Sequence, residues 1–463
     1  MPSHDLQQFI ASLESRDELT RITVTTDPLL EIAAITNRVC KQPGSGQALL
    51  FENPAGADFP VATNLFGSIR RTALALGVND LNSLTTALDN LLDSIASVEL
   101  AHLDRQIADL AGFSRFTAQS HAPDWTEIMP QPDLLCFPFL QSWPGDGTTS
   151  GHPRYITLPQ IFTAAPDGSA PNCGMYRAQV LGPRELAIRW KDDSGAAKHL
   201  AAHQRLGTRM PVAIALGGDP ASLFSAMLPL PGELDEMTFA GFLRGAPLGT
   251  TSCQTHQLQV PSLAEVIIEG FVDPAESTME GPFGNHTGYY SPAGPAALMR
   301  VTSITHRPNA IIPATVVGPP PMEDCWMAKA WERVLLAFIK KLIPAVSELC
   351  FPLEWVFHQS AIISLEKPKP GMVREIAGLL WNTPWFSTAP LLVFVDAGLD
   401  PADLPNVAWR AINTPGLARA VFHNTNQTCL ALDATNGVTS RSPLISDRTV
   451  DLQIQRRWQE YGI

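Results

Sequence analysis

AEVIIEGFVDPAESTMEGPFGNHTGYY, residues 264–290, opens on a β-branched apolar run, crosses a short acidic loop and ends among turn-forming residues. The run AEVIIEGFVD has the composition of a strand. Beyond it, Gly281, Pro282 and Gly284 force a tight backbone that aims neighbouring side chains inward. An acid, an amide and an imidazole (Glu280, Asn285 and His286) stand together within residues 280–286. Chemistry often lives on such turns, although spacing alone equally allows a β-turn whose Glu280 is a solvated surface acid.

Outward from that stretch, residues 134 to about 310 stay β-rich. RYITLPQIF, CGMYRAQVL, LAIRW, MPVAIAL and ALMRVTSITH have period-2 or β-branched character between Gly, Pro and Asp. A barrel or sandwich fits this pattern best. The preceding 120 residues alternate helix and strand. Leu6, Phe9, Ile10 and Leu13 follow helical spacing, Thr26-Asp27-Pro28 signals a helix start before LLEIAAITNRV, and ALLFEN and PVATNLFG read as short strands. Past Gly318-Pro319-Pro320, the helical pattern DCWMAKAWERVLLAFIKKLI precedes the strands AIISL and LLVFVDAG and a terminal amphipathic helix, TVDLQIQRRWQEYGI. The expected division is 1–120, α/β; 121–310, β; and 311–463, α/β with a tail helix that docks on a neighbouring subunit.

Bulk properties narrow the function. The chain has 463 residues, 45% of them hydrophobic, which is too long for one core. A net charge of −13 argues against a nucleic-acid backbone or an anionic membrane as partner. No apolar run is long enough for a membrane span, and the N-terminus lacks the pattern of a signal peptide. Seven scattered cysteines without a C-x-x-C pair suit a reducing cytoplasm and indicate neither a disulfide framework nor a structural zinc.

EGPFGNHTGYY together with NCGMYRAQVLG resembles the UbiD family of decarboxylases that use prenylated flavin mononucleotide. LLFENPAG, NLFGSIRRTALALG, CFPFLQSWPGD, RYIT, IALGGDP, TFAGFLRG, ITHRPNAI, VGPPP and ALDATN resemble it in the same order over nearly the whole chain. The resemblance implies an N-terminal α/β domain, a central flavin-binding split β-barrel and a C-terminal α/β domain with an exchanging helix. It also implies reversible decarboxylation of an aromatic, heteroaromatic or α,β-unsaturated acid, with release of carbon dioxide. Removing carbon dioxide from an sp² carbon needs an electron sink that side chains lack, and the cofactor supplies it. A flavin prenyltransferase would furnish that cofactor, and a homo-oligomer, dimeric or hexameric, is implied.

Residue by residue, Arg177 matches the family arginine that faces the substrate carboxylate, which a planar guanidinium grips through two parallel hydrogen bonds. Glu280 matches the glutamate that pairs with it and takes part in acid/base work. Asn285 stands where the family carries an acidic proton donor, and an amide cannot exchange a carboxylic proton. Glu280, His286 or a held water then delivers the proton, or the amide recognises an unusual substrate, or the protein is a catalytically silent flavin-binding paralogue serving as an assembly or regulatory subunit. Asn172 and Glu236 match two ligands of a divalent ion, Mn²⁺ or Mg²⁺, that holds the flavin phosphate, with K⁺ nearby. The third ligand, a histidine in the family, falls on Asp193, which is either an oxygen ligand suited to a hard cation or a surface acid. His199 lies six positions on. Lys367 matches a lysine that meets the cofactor phosphate. Cys173 reads as a packed residue, Gly217-Gly218-Asp219-Pro220 as a helix cap or anion site, and Gly145–Gly151 as a flexible connector.

Overall fold

The structure, a computed structural model, describes residues 5–93, 111–125, 127–169, 171–228, 230–231, 234–357, 359–413, 420–435, 444 and 446–462. Asn436 of the ALDATN motif, Thr126 of the loop at 121–133 and Ile463 of the tail lie outside them. The chain forms two compact units, Met1–Leu342 with Phe351–His358, and Ile343–Cys350 with Gln359–Ile463.

The first unit begins as its spacing predicts. Helix Leu6–Glu14 buries Leu6, Phe9, Ile10 and Leu13, and the Asp5 carboxylate caps it by accepting from the Gln8 N–H. The Thr26-Asp27-Pro28 signal also holds, with a short delay. Asp27 accepts from the Leu29 N–H while Glu31 reaches back to the Asp27 N–H, and the helix itself is Glu31–Cys40. Strands Leu19–Ile22, Ala48–Phe51 and Val61–Thr63 pair side by side, and Ile312–Pro313 returns from far along the chain to complete this sheet beside Val61–Thr63. Helix Glu323–Leu342 packs here too: its Arg333 carbonyl accepts from Thr85 of helix Asn82–Leu92, and the Arg333 guanidinium donates to Asn82. Residues from all three expected sequence divisions therefore share the first unit.

Nine strands form the central sheet. Its path runs Tyr155–Ile156, Ala178–Gly182, Glu185–Ile188, Gly294–His306, Val266–Glu280, Met210–Leu216, Gln160–Thr163 and Asn172–Gly174, with Glu127–Ile128 paired beside Gly294–His306. The two end strands do not pair with one another, so no closed barrel forms among the described residues. The acidic loop read between AEVIIEGFVD and Glu280 is instead strand. Val266–Glu280 is continuous and pairs with Gly294–His306 along its length, the segment between Val272 and Ser277 being absorbed as a register shift. Its apolar half is buried and Asp273–Met279 is not, which explains why hydrophobicity alone ends the strand too soon.

In the second unit, Ser360–Leu365, Leu391–Asp396 and Leu430–Asp433 run parallel, flanked by Val346–Cys350 and Val421–His423. These three parallel strands and their helices Met372–Trp381 and Leu404–Asn413 are the α/β pattern expected of the C-terminal region. The tail helix Arg448–Arg456 buries no residue.

Candidate active site

Sheet register brings the first candidates together. Ile188 sits opposite Ala178 on one side and Ala297 on the other, and Ala297 sits opposite Ser277. Arg177 immediately precedes Ala178, Arg189 follows Ile188, and Glu280 lies three residues beyond Ser277, so all three converge at one end of this cross-sheet row. Glu280 is wholly buried and takes a fork from Arg177, Nε to Oε1 at 2.7 Å and Nη2 to Oε2 at 3.0 Å. Arg189 Nη1 stands 3.8 Å from the same carboxylate and donates to the Pro292 carbonyl. The Arg177 guanidinium also lies over the Phe283 ring, 4.7 Å from its centroid. Its Nη1 makes no hydrogen bond among the described residues.

The surrounding wall contains residues that sequence reasoning missed. Asp146, in the segment expected as a flexible connector, is buried, and its carboxylate accepts from the backbone N–H groups of Ser142, Trp143 and Gly284. The segment is therefore built into the site. Burial pushes the Asp146 carboxyl up, while those three donors and Arg177 pull against the shift. Gln179 donates to Ser150 and the His152 carbonyl and accepts from the Gly281 N–H, which fixes the turn directly after Glu280. Tyr155 donates to the Pro282 carbonyl at 3.2 Å; burial first, and the neighbouring Glu280 second, push its hydroxyl pKa upward. A β-carbon on Gly284 or Gly318 would overlap the Trp143 ring, whose indole N–H bonds the Val317 carbonyl. The glycines of EGPFG and VGPPP thus make the slot that holds Trp143. That pairing was not readable as a turn signal.

Asn285 and His286 follow on the same hairpin. The Asn285 side chain accepts from the His286 N–H at 2.8 Å and donates to Ser291 at 3.0 Å, so both ends of the amide close the loop. Burial, and secondarily Lys191, lower the His286 pKa to about 4, which makes the imidazole a neutral base near pH 7. Its ring packs 5.3 Å from that of Phe357.

The second set gathers around Glu236, at the first turn of helix Glu236–Arg244. Its carboxylate accepts from the Cys173 N–H at 3.1 Å, and burial raises its pKa to about 7. Next to Cys173, Asn172 has a buried Nδ2 without a partner, and a β-carbon on Gly195 would overlap its Oδ1. Gly195 opens helix Gly195–Leu206, capped by Ser194; Asp193 directly precedes that cap, in an exposed turn. His199, on the same helix, is buried, its Nδ1 meeting Oγ1 of Thr163, the residue opposite Asn172 in the sheet, at 2.9 Å. Cys173 is a packed core residue, as its neighbours implied. Asp219 caps helix Pro220–Met227 and is forked by Arg244, so the Gly-Gly-Asp-Pro turn is a charged cap, not an anion site. Lys367 belongs to the second unit, exposed just after strand Ser360–Leu365.

Comparison with known proteins assigns the same regions. Three family models match: the 3-octaprenyl-4-hydroxybenzoate carboxy-lyase N-terminal domain (UbiD_N) over residues 10–91, its Rift-related domain (UbiD) over 117–320, and its C-terminal domain (UbiD_C) over 325–446. An uncharacterized protein of Archaeoglobus fulgidus is 37% identical over 422 residues, 91% of this chain and 86% of its own. The UbiD-class enzyme HmfF from Pelotomaculum thermopropionicum, in an evolved dimeric form solved with prFMN, superposes with a TM-score of 0.81 at 27% identity, covering 97% of this chain and 98% of that one. The vanillic acid decarboxylase of Sedimentibacter hydroxybenzoicus in its closed form shares the fold, with a TM-score of 0.85 at 23% identity and coverage of 99% and 98%.

Proposed function

This chain belongs to the UbiD family of carboxy-lyases, and from that premise we propose that it is a prenylated-FMN-dependent decarboxylase acting reversibly on an aromatic, heteroaromatic or α,β-unsaturated acid. The observation that carries the reading is the Arg177–Glu280 fork at the mouth of the central sheet, the proposed split barrel. When bound, the prenylated flavin supplies the electron sink that the side chains lack. Arg177 keeps Nη1 for the substrate carboxylate while its other edge stays on Glu280. Arg189 adds a second positive charge beside the pair. Glu280 moves the proton: it takes one from solvent at a carboxylate oxygen and delivers it, directly or through a held water, to the carbon that carbon dioxide leaves. Asn285 takes no part in that transfer, because an amide has no such proton and both its ends brace the loop. Asp146 and Gln179 hold the turn in place.

The residues around Glu236 fit a hard divalent cation. This half-buried carboxylate, bonded to the Cys173 N–H and met by no lysine or arginine among the described residues, lacks the positive charge that Mn²⁺ or Mg²⁺ would bring. Asn172 through Oδ1 and Glu236 are the proposed ligands. Asp193 would join them from its turn, giving an all-oxygen set, with K⁺ as the proposed companion ion. Lys367 is proposed as a phosphate contact, and the three sequence divisions as N-terminal, flavin-binding and oligomerisation domains of a cytoplasmic homo-oligomer supplied by a flavin prenyltransferase. Nothing in the site favours a silent assembly subunit, since the Arg177–Glu280 pair is intact.

The test is to co-express the protein with a flavin prenyltransferase, measure the bound cofactor, and follow carbon dioxide release and solvent-deuterium exchange across a panel of aromatic and unsaturated acids. Bound cofactor with exchange on at least one acid is expected. Protein that carries the cofactor yet exchanges none of them would refute the proposal.

A further inference from the structure

Away from this site, the loop joining Gly249–Ser252 to Gln259–Pro261 folds over the long strand so that Cys253 Sγ, a His256 ring nitrogen and a Glu269 carboxylate oxygen lie within 4.8 Å of one another. We propose that these three side chains bind one divalent cation of the zinc class. The chemistry of each supports it. His256 Nε2 meets the Val212 carbonyl at 3.2 Å, a partner that can only accept, so Nε2 carries the proton and Nδ1 presents a lone pair. That Nδ1 is buried and has no partner. A backbone carbonyl fixing the tautomer of a histidine whose other nitrogen faces a metal is the usual outer-shell arrangement.

Glu269 is wholly buried, and its hydrogen bonds come from the Gln254 and Thr255 N–H groups and the Thr255 hydroxyl, at 2.7 to 2.8 Å. No lysine or arginine pairs with it among the described residues, so its charge is stabilised by dipoles alone. A cation would supply the missing counter-charge. Cys253 is buried beside the other two, and the metal displaces its thiol proton to solvent as the sulfur–metal bond forms. One sulfur, one imidazole nitrogen and one carboxylate oxygen together select zinc over manganese or magnesium, with a fourth position left for water. Zinc bonds of about 2.0–2.3 Å require the loop to step inward by roughly 1 Å.

The site would fasten the sheet of Gln119–Ser120, Gly249–Ser252 and Gln259–Pro261 to the central one. None of Cys253, His256 and Glu269 is among the residues proposed for the flavin-linked cation, Asn172, Glu236 and Asp193, so this ion is a second one. The spacing Cys-x-x-His, completed by an acid on a strand thirteen residues further on, matches no short motif, which is why the sequence indicates no zinc.

Chelator-stripped full-length protein titrated with Co²⁺ tests the proposal, because a thiolate ligand gives a near-ultraviolet charge-transfer band that an all-oxygen site cannot. One band-forming equivalent is expected, displaced by Zn²⁺, abolished by Cys253→Ser, weakened at least about tenfold by His256→Ala, and retained in Glu236→Gln. Binding without the band, no binding, or a band that survives Cys253→Ser overturns the assignment. Should Cys253→Ser fail to fold, His256→Ala, whose ring is only partly buried, decides the matter: unchanged Co²⁺ affinity refutes the site.

Discussion

At the scale of single residues, the Arg177–Glu280 pair does two separable jobs. Removing the carboxylate charge in Glu280→Gln keeps the side-chain shape, and we expect exchange activity to fall by roughly 10²- to 10⁴-fold with the cofactor still bound. Removing the guanidinium in Arg177→Ala instead leaves a wholly buried carboxylate without its fork. With a quarter of the arginine side chain exposed, the loss is set near the low end for such pairs, roughly 3 kcal/mol, read as a fall in Tm of about 4 °C. A variant with unchanged Tm would mean that Arg189 alone can compensate. His286 gives a pH signature. Its folded-state pKa, about 4, lies below the ordinary 6.5, so its neutral form favours folding; that contribution is complete above pH 6.5 and is lost as pH falls through 4. His286→Phe should therefore flatten the acid limb of a Tm-against-pH curve between those values. Arg177 and Glu280 were singled out by the family resemblance, since turn chemistry alone leaves Glu280 a surface acid; sheet register is what brings the two together. Asp146 was not legible, because its partners are backbone groups at 142, 143 and 284, invisible to a side-chain pattern.

At the scale of elements, the long strand Val266–Glu280 determines the site's geometry. Its register shift at Glu269–Gly270 depends on a residue without a side chain, because a β-carbon on Gly270 would overlap the Arg300 carbonyl of the neighbouring strand. Gly270→Ala is expected to spread the two strands, costing roughly 2–4 kcal/mol and raising KM for the substrate acid because Glu280 shifts. Stable protein with wild-type KM would show that the two strands separate without consequence. The strand's first half was legible from Val, Ile and Phe. Its second half, Asp273 to Glu276, carries the polar residues of an outer strand segment and reads as a loop until its partner is known.

At the scale of the whole molecule, the mixed α/β class was legible, since periodicity and β-branching report local burial. The pairing of Ile312–Pro313 with Val61–Thr63 was not, because sequence patterns carry no information on partners some 250 residues apart. The tail helix Arg448–Arg456 buries nothing, and Val450, Leu452, Ile454, Trp458 and Tyr461 are exposed on it and just beyond. If it serves the proposed homo-oligomer, deleting residues 446–463 should lower the mass seen by light scattering while the far-ultraviolet spectrum changes little; an unaltered mass would exclude the tail from assembly. The late return of Ile312–Pro313 also has a consequence during synthesis. A ribosome adding 5–20 residues per second takes roughly 12–50 s between Thr63 and Ile312, and for that interval the nascent chain displays one raw sheet edge. An open edge held that long invites mispairing between neighbouring polysomes, so yield in a foreign host should depend on chaperone supply and slow growth more than on the final stability of the product.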